Sequence, residues 1–112
     1  MKFNKEIFNE ALTMSILEEL EKRDIIEGKF APFARKVLGK KDSGKTFRLL
    51  RNGKQKWNIE YIYNVAKYFN ENLSMTIARA EIIYTTRQPE IAKNLEEKKV
   101  PQNTKTRQKS TK

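Results

Sequence analysis

The strongest constraint on this chain is an apolar repeat of four: Phe8, Leu12, Ile16 and Leu20, with Ile7, Ala11, Met14 and Leu17 beside them. At 3.6 residues per turn these side chains fall on one broad face of a helix over Phe3 to Leu20. Related spacing returns downstream in Phe47 and Leu50, in Ile59, Ile62, Val65, Ala66 and Phe69, and in Ile77, Ala78, Ile82 and Ile83. No segment alternates with the period of a strand, so the expected fold is all-α. The first stripe is wider than one surface helix needs. It is either wrapped on two sides by its own domain or met by a second subunit. Together with the apolar helix around Ile82, Ile83 and Tyr84, it makes a homodimer the expected assembly.

Punctuation residues divide the chain into five helices. Gly28 closes the connection after the first. Pro32 suits the first turn of a second helix running to Leu38, and Gly39 suits its C-terminal cap. Lys40-Lys41-Asp42-Ser43 then forms a turn in which Asp42 or Ser43 caps a third helix, Ser43 to Arg51, closed by Asn52-Gly53. Asn58 is the expected N-cap of the fourth helix, and Ser74 of a fifth ending near Thr86. Residues 1–88 make one helical domain. Residues 89–112 read as a basic, largely disordered tail, with room for a weak turn of helix over Pro89 to Glu97, because the stretch from Lys98 has a single branched aliphatic and no aromatic to offset its chain entropy.

Several functions are excluded by what the chain lacks. With 112 residues it has room for one small domain. With no Cys and no His there is no thiolate nucleophile, imidazole base, Cys/His zinc site or disulfide. No apolar run approaches a membrane span, and Met1-Lys2-Phe3-Asn4-Lys5-Glu6 lacks the apolar core of a secretory signal, so a cytoplasmic location is expected.

The net charge of +10 becomes informative when it is divided along the chain. Residues 1–28 hold 4 basic and 7 acidic groups, and residues 57–97 hold 4 and 6. Residues 29–56 hold 10 basic groups and 1 acidic, and residues 98–112 hold 6 and none. Two cationic blocks in an otherwise mildly acidic chain favour a polyanion, since each phosphate neutralised releases a condensed counterion. A membrane surface fits less well, because the central block is interleaved with core-like residues instead of forming one lipid-facing stripe.

The segment Phe33-Ala34-Arg35-Lys36-Val37-Leu38-Gly39, then Asp42-Ser43-Gly44-Lys45-Thr46-Phe47-Arg48-Leu49-Leu50-Arg51-Asn52-Gly53, then Trp57-Asn58-Ile59 and Val65-Ala66, resembles the phage repressor-like (XRE/Cro) helix-turn-helix family. The resemblance covers about residues 10–86. It implies a compact five-helix domain, operator binding as a dimer and a transcriptional role of phage or bacterial type. The turn departs from the family, with Ala34 and Gly39 five apart where four is usual. By position the recognition helix is Ser43 to Arg51, entering the major groove of double-stranded DNA. Ser43, Gly44, Lys45 and Arg48 are the expected base readers. Lys40, Lys41, Thr46, Arg51, Asn52, Lys54 and Lys56 are the expected phosphate contacts. Trp57 reads as a core plug rather than a stacking platform, and Phe47, Leu50, Ile62 and Phe69 as core.

Gly39-Lys40-Lys41-Asp42-Ser43-Gly44-Lys45-Thr46 also matches the phosphate-loop pattern G-x-x-x-x-G-K-[ST]. A working loop needs a strand before it, a long helix after it and a magnesium-binding Asp on a second strand. The helical periodicity here, and a chain whose only Asp residues are Asp24 and Asp42, argue against a nucleotide cofactor. Glu10, Glu18, Glu19 and Glu21 read as the solvated face of the first helix and not as a metal cluster. No catalytic residue, metal or enzymatic activity is expected. The alternative function is an antitoxin-like or adaptor module that binds a protein through its helices and nucleic acid through its basic tail.

Overall fold

Asn4 opens the first helix: its backbone is extended and its side chain accepts a hydrogen bond from the Ile7 N–H, satisfying one of the donors a helix start leaves unpaired. In the computed structural model, which describes the backbone of residues 2–111 and the side chains of residues 2–99, the order is α1 (Lys5–Lys22), α2 (Ala31–Leu38), α3 (Ser43–Arg51), α4 (Ile59–Tyr68), α5 (Leu73–Thr86) and α6 (Gln88–Thr111). Among the described residues there is no strand.

The helices are therefore six and not five. The sixth forms because Ile91, fully buried, and Leu95 one turn later supply an apolar face that docks on α1 and α5. Two aliphatics among charges make a weak pattern in isolation, and their partners come from the other end of the chain. The part of the expected disordered tail that spans residues 89–99 is thus helical and packed. The remainder, residues 100–112, lies outside the side chains described.

The broad α1 stripe is shared between two clusters. Leu12, Ile16 and Leu20 enter the main core with Phe33, Val37, Phe47, Leu50, Trp57, Val65 and Phe69. Ala11 and Met14 enter a second cluster with Ile83, Tyr84 and Ile91. The domain wraps its own first helix on two sides. Both apolar surfaces on which a homodimer was expected are largely occupied within the chain, and of Ile82, Ile83 and Tyr84 only Ile82 remains exposed.

Trp57 is the core plug that the sequence suggests. Its indole N–H donates to Thr13 Oγ1 at 2.9 Å and its backbone N–H to Asn9 Oδ1 at 3.0 Å, so the loop entering α4 is pinned to α1. Asn58 caps α4 as expected, accepting from the Tyr61 N–H at 2.7 Å. The residue capping α5 is Asn72 and not Ser74, which lies within the first turn.

The expected solvated face of α1 is only partly solvated. Glu10 is buried, receiving the Lys98 ammonium at 2.6 Å and the Asn94 amide at 3.4 Å. Glu19 is buried beside Lys22, Arg23 and Arg79. Burial pushes the Glu19 carboxyl up, but hydrogen bonds from Arg23 and Lys22 and the charge of Arg79 outweigh it, leaving it below the ordinary value. Glu71 behaves likewise: burial raises it, and hydrogen bonds from Arg79 and Thr76 more than reverse that. Glu18 meets Arg87 at 2.9 Å, and Glu21 alone of the four stays exposed and unpaired. Glu10 and Glu19 are drawn inward where later elements bring them Lys98 and Arg79, which local periodicity cannot show.

Candidate nucleic-acid interface

α2 and α3 are joined by four residues, 39–42, whose backbone does what the sequence asks of it. Gly39 ends α2 at φ +99°, a conformation an L side chain rarely adopts. Asp42, at φ +56°, stands at the N-cap of α3, but neither it nor Ser43 makes the expected side-chain cap. α3 is started by the backbone instead, the Thr46 N–H reaching the Asp42 carbonyl at 2.9 Å. The end of α2 is held from behind by α4, where the Asn64 amide donates to the Val37 carbonyl at 3.0 Å.

The inward face of α3 is Ser43, Phe47 and Leu50. Phe47 meets Phe30 and Phe33 edge-on at 5.1 and 5.6 Å between ring centres, which fixes the rotation of the helix about its axis. That rotation turns Gly44, Lys45 and Arg48 outward, all exposed, with Lys40 and Lys41 exposed in the turn ahead of them. Lys45, Arg48 and Asn52 follow one another at helical spacing along the solvent side.

Three expected site residues are placed otherwise. Ser43 is buried against the core, only 7% exposed, and cannot present a hydroxyl to a base edge. Its place in the 43, 47, 50 series of buried positions is the reason, and the same series was available in the sequence. Arg51 is turned back into the protein: its guanidinium meets Glu27 at 3.3 Å and lies 5.1 Å from the centres of both the Phe30 and Phe47 rings. It braces α3 rather than reaching outward. Thr46 is half-buried. Of the other expected phosphate contacts, Asn52, Lys54 and Lys56 are exposed on the loop after α3.

The structure also gathers residues the sequence reading left out. Arg35 and Lys36 lie exposed on the outer side of α2, where with Pro32 and Lys40 they line a concavity of about 330 Å³. Lys36 also lines a second of about 370 Å³ with Asn64, Lys67 and Tyr68. The signal was present, since Arg35 and Lys36 occupy the positions between buried Phe33, Ala34 and Val37. Lys98 is the other omission. Besides Glu10 it donates to the Arg51 carbonyl at 2.6 Å, so α6 is tied at Lys98 to the C-terminus of α3, where a cation complements the helix dipole.

Among the described residues, Lys29, Arg35, Lys36, Lys40, Lys41, Lys45, Arg48 and Lys56 enter no ion pair. The phosphate-loop match at 39–46 falls on a helix end, a turn and a helix start, with α2 where a strand would be needed. Among the described residues no group of three or more acidic side chains is arranged to hold a metal ion, and no helix is long and apolar enough to cross a membrane. Comparison of the chain with protein-family models, with curated proteins and with solved structures finds no match.

Proposed function

We propose that this protein binds double-stranded DNA with sequence preference, with α2 and α3 acting as a helix-turn-helix of the repressor-like kind and the chain serving as a transcriptional regulator. The observation that carries this reading is the row of exposed cations without ion-pair partners along the outer side of the α2–α3 unit, held by a helix whose opposite face is anchored in the core. A folded protein that keeps such a row unneutralised repels itself there, and a phosphate backbone relieves that repulsion while releasing counterions.

In this reading Gly44, Lys45 and Arg48 face the bases. Arg48 is the first choice for specificity, because its planar fork can make two parallel hydrogen bonds to guanine O6 and N7. Lys40, Lys41 and Asn52, with Arg35, Lys36, Lys54 and Lys56, stand toward the flanking phosphates. The Lys98 contact with the Arg51 carbonyl ties α6 to the end of α3. A second copy, if it assembles on the operator, has Met75, Ala78 and Ile82 to meet it, an exposed stripe at i, i+3 and i+7 on α5. A strictly monomeric mass on DNA would remove the dimer from the proposal without touching the interface.

The test compares Arg48→Ala with Lys41→Ala across a panel of single-base substitutions in a site selected from random duplexes. Arg48→Ala should cost about 1–3 kcal/mol on the selected site and relax preference at one base position. Lys41→Ala should weaken all sequences alike and lower the salt slope by about one. Uniform loss with Arg48→Ala, and altered preference with Lys41→Ala, would show that α3 does not lie in the groove as proposed.

A further inference from the structure

On the side of α1 that faces the loop into α4 lies an open groove of about 340 Å³. Phe3, Phe8, Leu12, Trp57 and Ile62 make its apolar wall, and two lysines are in the lining: Lys5 from α1 and Lys56 from the loop. Among the described residues no carboxylate lines it. Phe3 is 63% exposed, a large apolar side chain left in water, held 5.6 Å from the Phe8 ring and 5.7 Å from the Tyr84 ring. Lys5 and Lys56 are both exposed and enter no ion pair among the described residues. Asn9, also in the lining, spends its side-chain oxygen on the Trp57 N–H and keeps its amide NH₂ as a donor.

We propose that this groove is a binding site for a small amphipathic carboxylate, whose apolar body lies against Phe8, Leu12 and Trp57 and whose carboxylate is held between Lys5 and Lys56. Apolar walls with a few placed polar groups are the usual make-up of a small-molecule site, and the volume lies at the lower end of the range of such sites, about 300–1,000 Å³. The two cations, with no acid in the lining, select the sign of the head group: an anionic head gains their attraction, a neutral head forgoes it and a cationic head is repelled. An aliphatic chain alone would gain the wall and forgo the lysines. Lys56 is also among the proposed phosphate contacts, so an occupied groove withdraws one cation from the DNA. That consequence rests on the DNA reading, whereas the site does not.

Trp57 is the only tryptophan of the chain, so its emission reports occupancy of the groove directly. The full-length protein is titrated with octanoate, kept well below micelle formation, and in parallel with octan-1-ol and octylammonium. Octanoate should give a saturable change and the other two should bind at least about tenfold more weakly, the loss expected when charge-assisted hydrogen bonds are missing. Lys5→Gln and Lys56→Gln, which fold normally because both side chains are exposed, should each weaken octanoate by about three- to tenfold. An octanol titration as tight as that of octanoate, an unchanged titration in both glutamine variants, or no saturable change would overturn the proposal. So would saturable binding of an acidic, leucine-rich peptide where octanoate fails, since the occupant would then be a protein segment.

Discussion

The cations of the α1–α5–α6 side and those of the α2–α3 side have opposite fates. On the first, Arg23, Arg79, Arg87 and Lys98 each meet a carboxylate within 3.5 Å, and Glu10 and Glu19 are buried and Glu71 half-buried where they meet them. On the second, residues 29–56 supply one acid, Asp42, for ten basic residues, and apart from Arg51, which meets Glu27, most of those point into solvent with no ion pair among the described residues. Charge in one region fastens helices together. Charge in the other is left available, and the difference separates side chains that hold the fold from those free to engage a partner.

The largest effect expected from this contrast lies in the salt dependence of DNA binding. If about six of the unpaired cations contact phosphates, affinity should fall about a thousandfold between about 50 and about 200 mM salt. Thermal stability should move little over the same range, because the pairs that bind α1 to α5 and α6 are partly buried and weakly screened. A salt-insensitive association, or none at low salt, would break the comparison at its functional end.

The next effect tests the other region. Lys98→Ala removes the partner of a buried carboxylate and a ligand of the α3 terminus at once, and should cost about 2–3 kcal/mol of stability in chemical denaturation. Lys41→Ala, in the exposed turn, should stay within about 0.5 kcal/mol. Equal losses in the two variants would mean that the distinction drawn from ion pairing does not describe the energetics.

Acid separates the two regions as well. The folded Glu71 carboxyl sits below its ordinary value, so the stability it contributes is complete above the unfolded value and is lost as pH falls through the folded one. Between about pH 5 and pH 2 the native protein should therefore lose stability more steeply than Glu71→Gln, which has no proton to take up there. Parallel curves would show that the Arg79 contact does not favour the charged form. The α2–α3 unit has no such buried acid and adds no such slope.

What could be read from the sequence follows the same division. α3 was legible to the residue, because a glycine, a turn and a nine-residue amphipathic segment are all local signals, and so were the core roles of Trp57, Phe47 and Leu50. The outward placement of Lys45 and Arg48 follows from that periodicity. What was not legible depends on contacts across the chain: Glu10 is buried by a lysine 88 positions away, and α6 exists as a packed helix because Ile91 finds Ala11 and Met14. Ser43 is a different case. Its burial is readable from the 43, 47, 50 series, because the first turn of α3 faces both ways, with Ser43 inward and Gly44 and Lys45 outward.

The smallest effect has opposite signs in the two properties. Gly44 lies in the first turn of α3 with no positive φ, and a Cβ built there would meet nothing within 4 Å. The fold therefore has no use for a glycine at this position. In a helix it costs about 0.5–1 kcal/mol relative to alanine, through the wider freedom of the unfolded chain. Gly44→Ala should accordingly raise stability by up to that amount. A partner that packs its own atoms against the bare α-carbon would instead feel the added methyl, so the variant should bind DNA less tightly while unfolding later. The size of that loss measures how closely the duplex approaches the start of α3. Increased stability with unchanged DNA affinity would place the closest approach elsewhere, toward Arg48 and the second turn. Reduced stability would mean that the open space beside Gly44 is not open in solution.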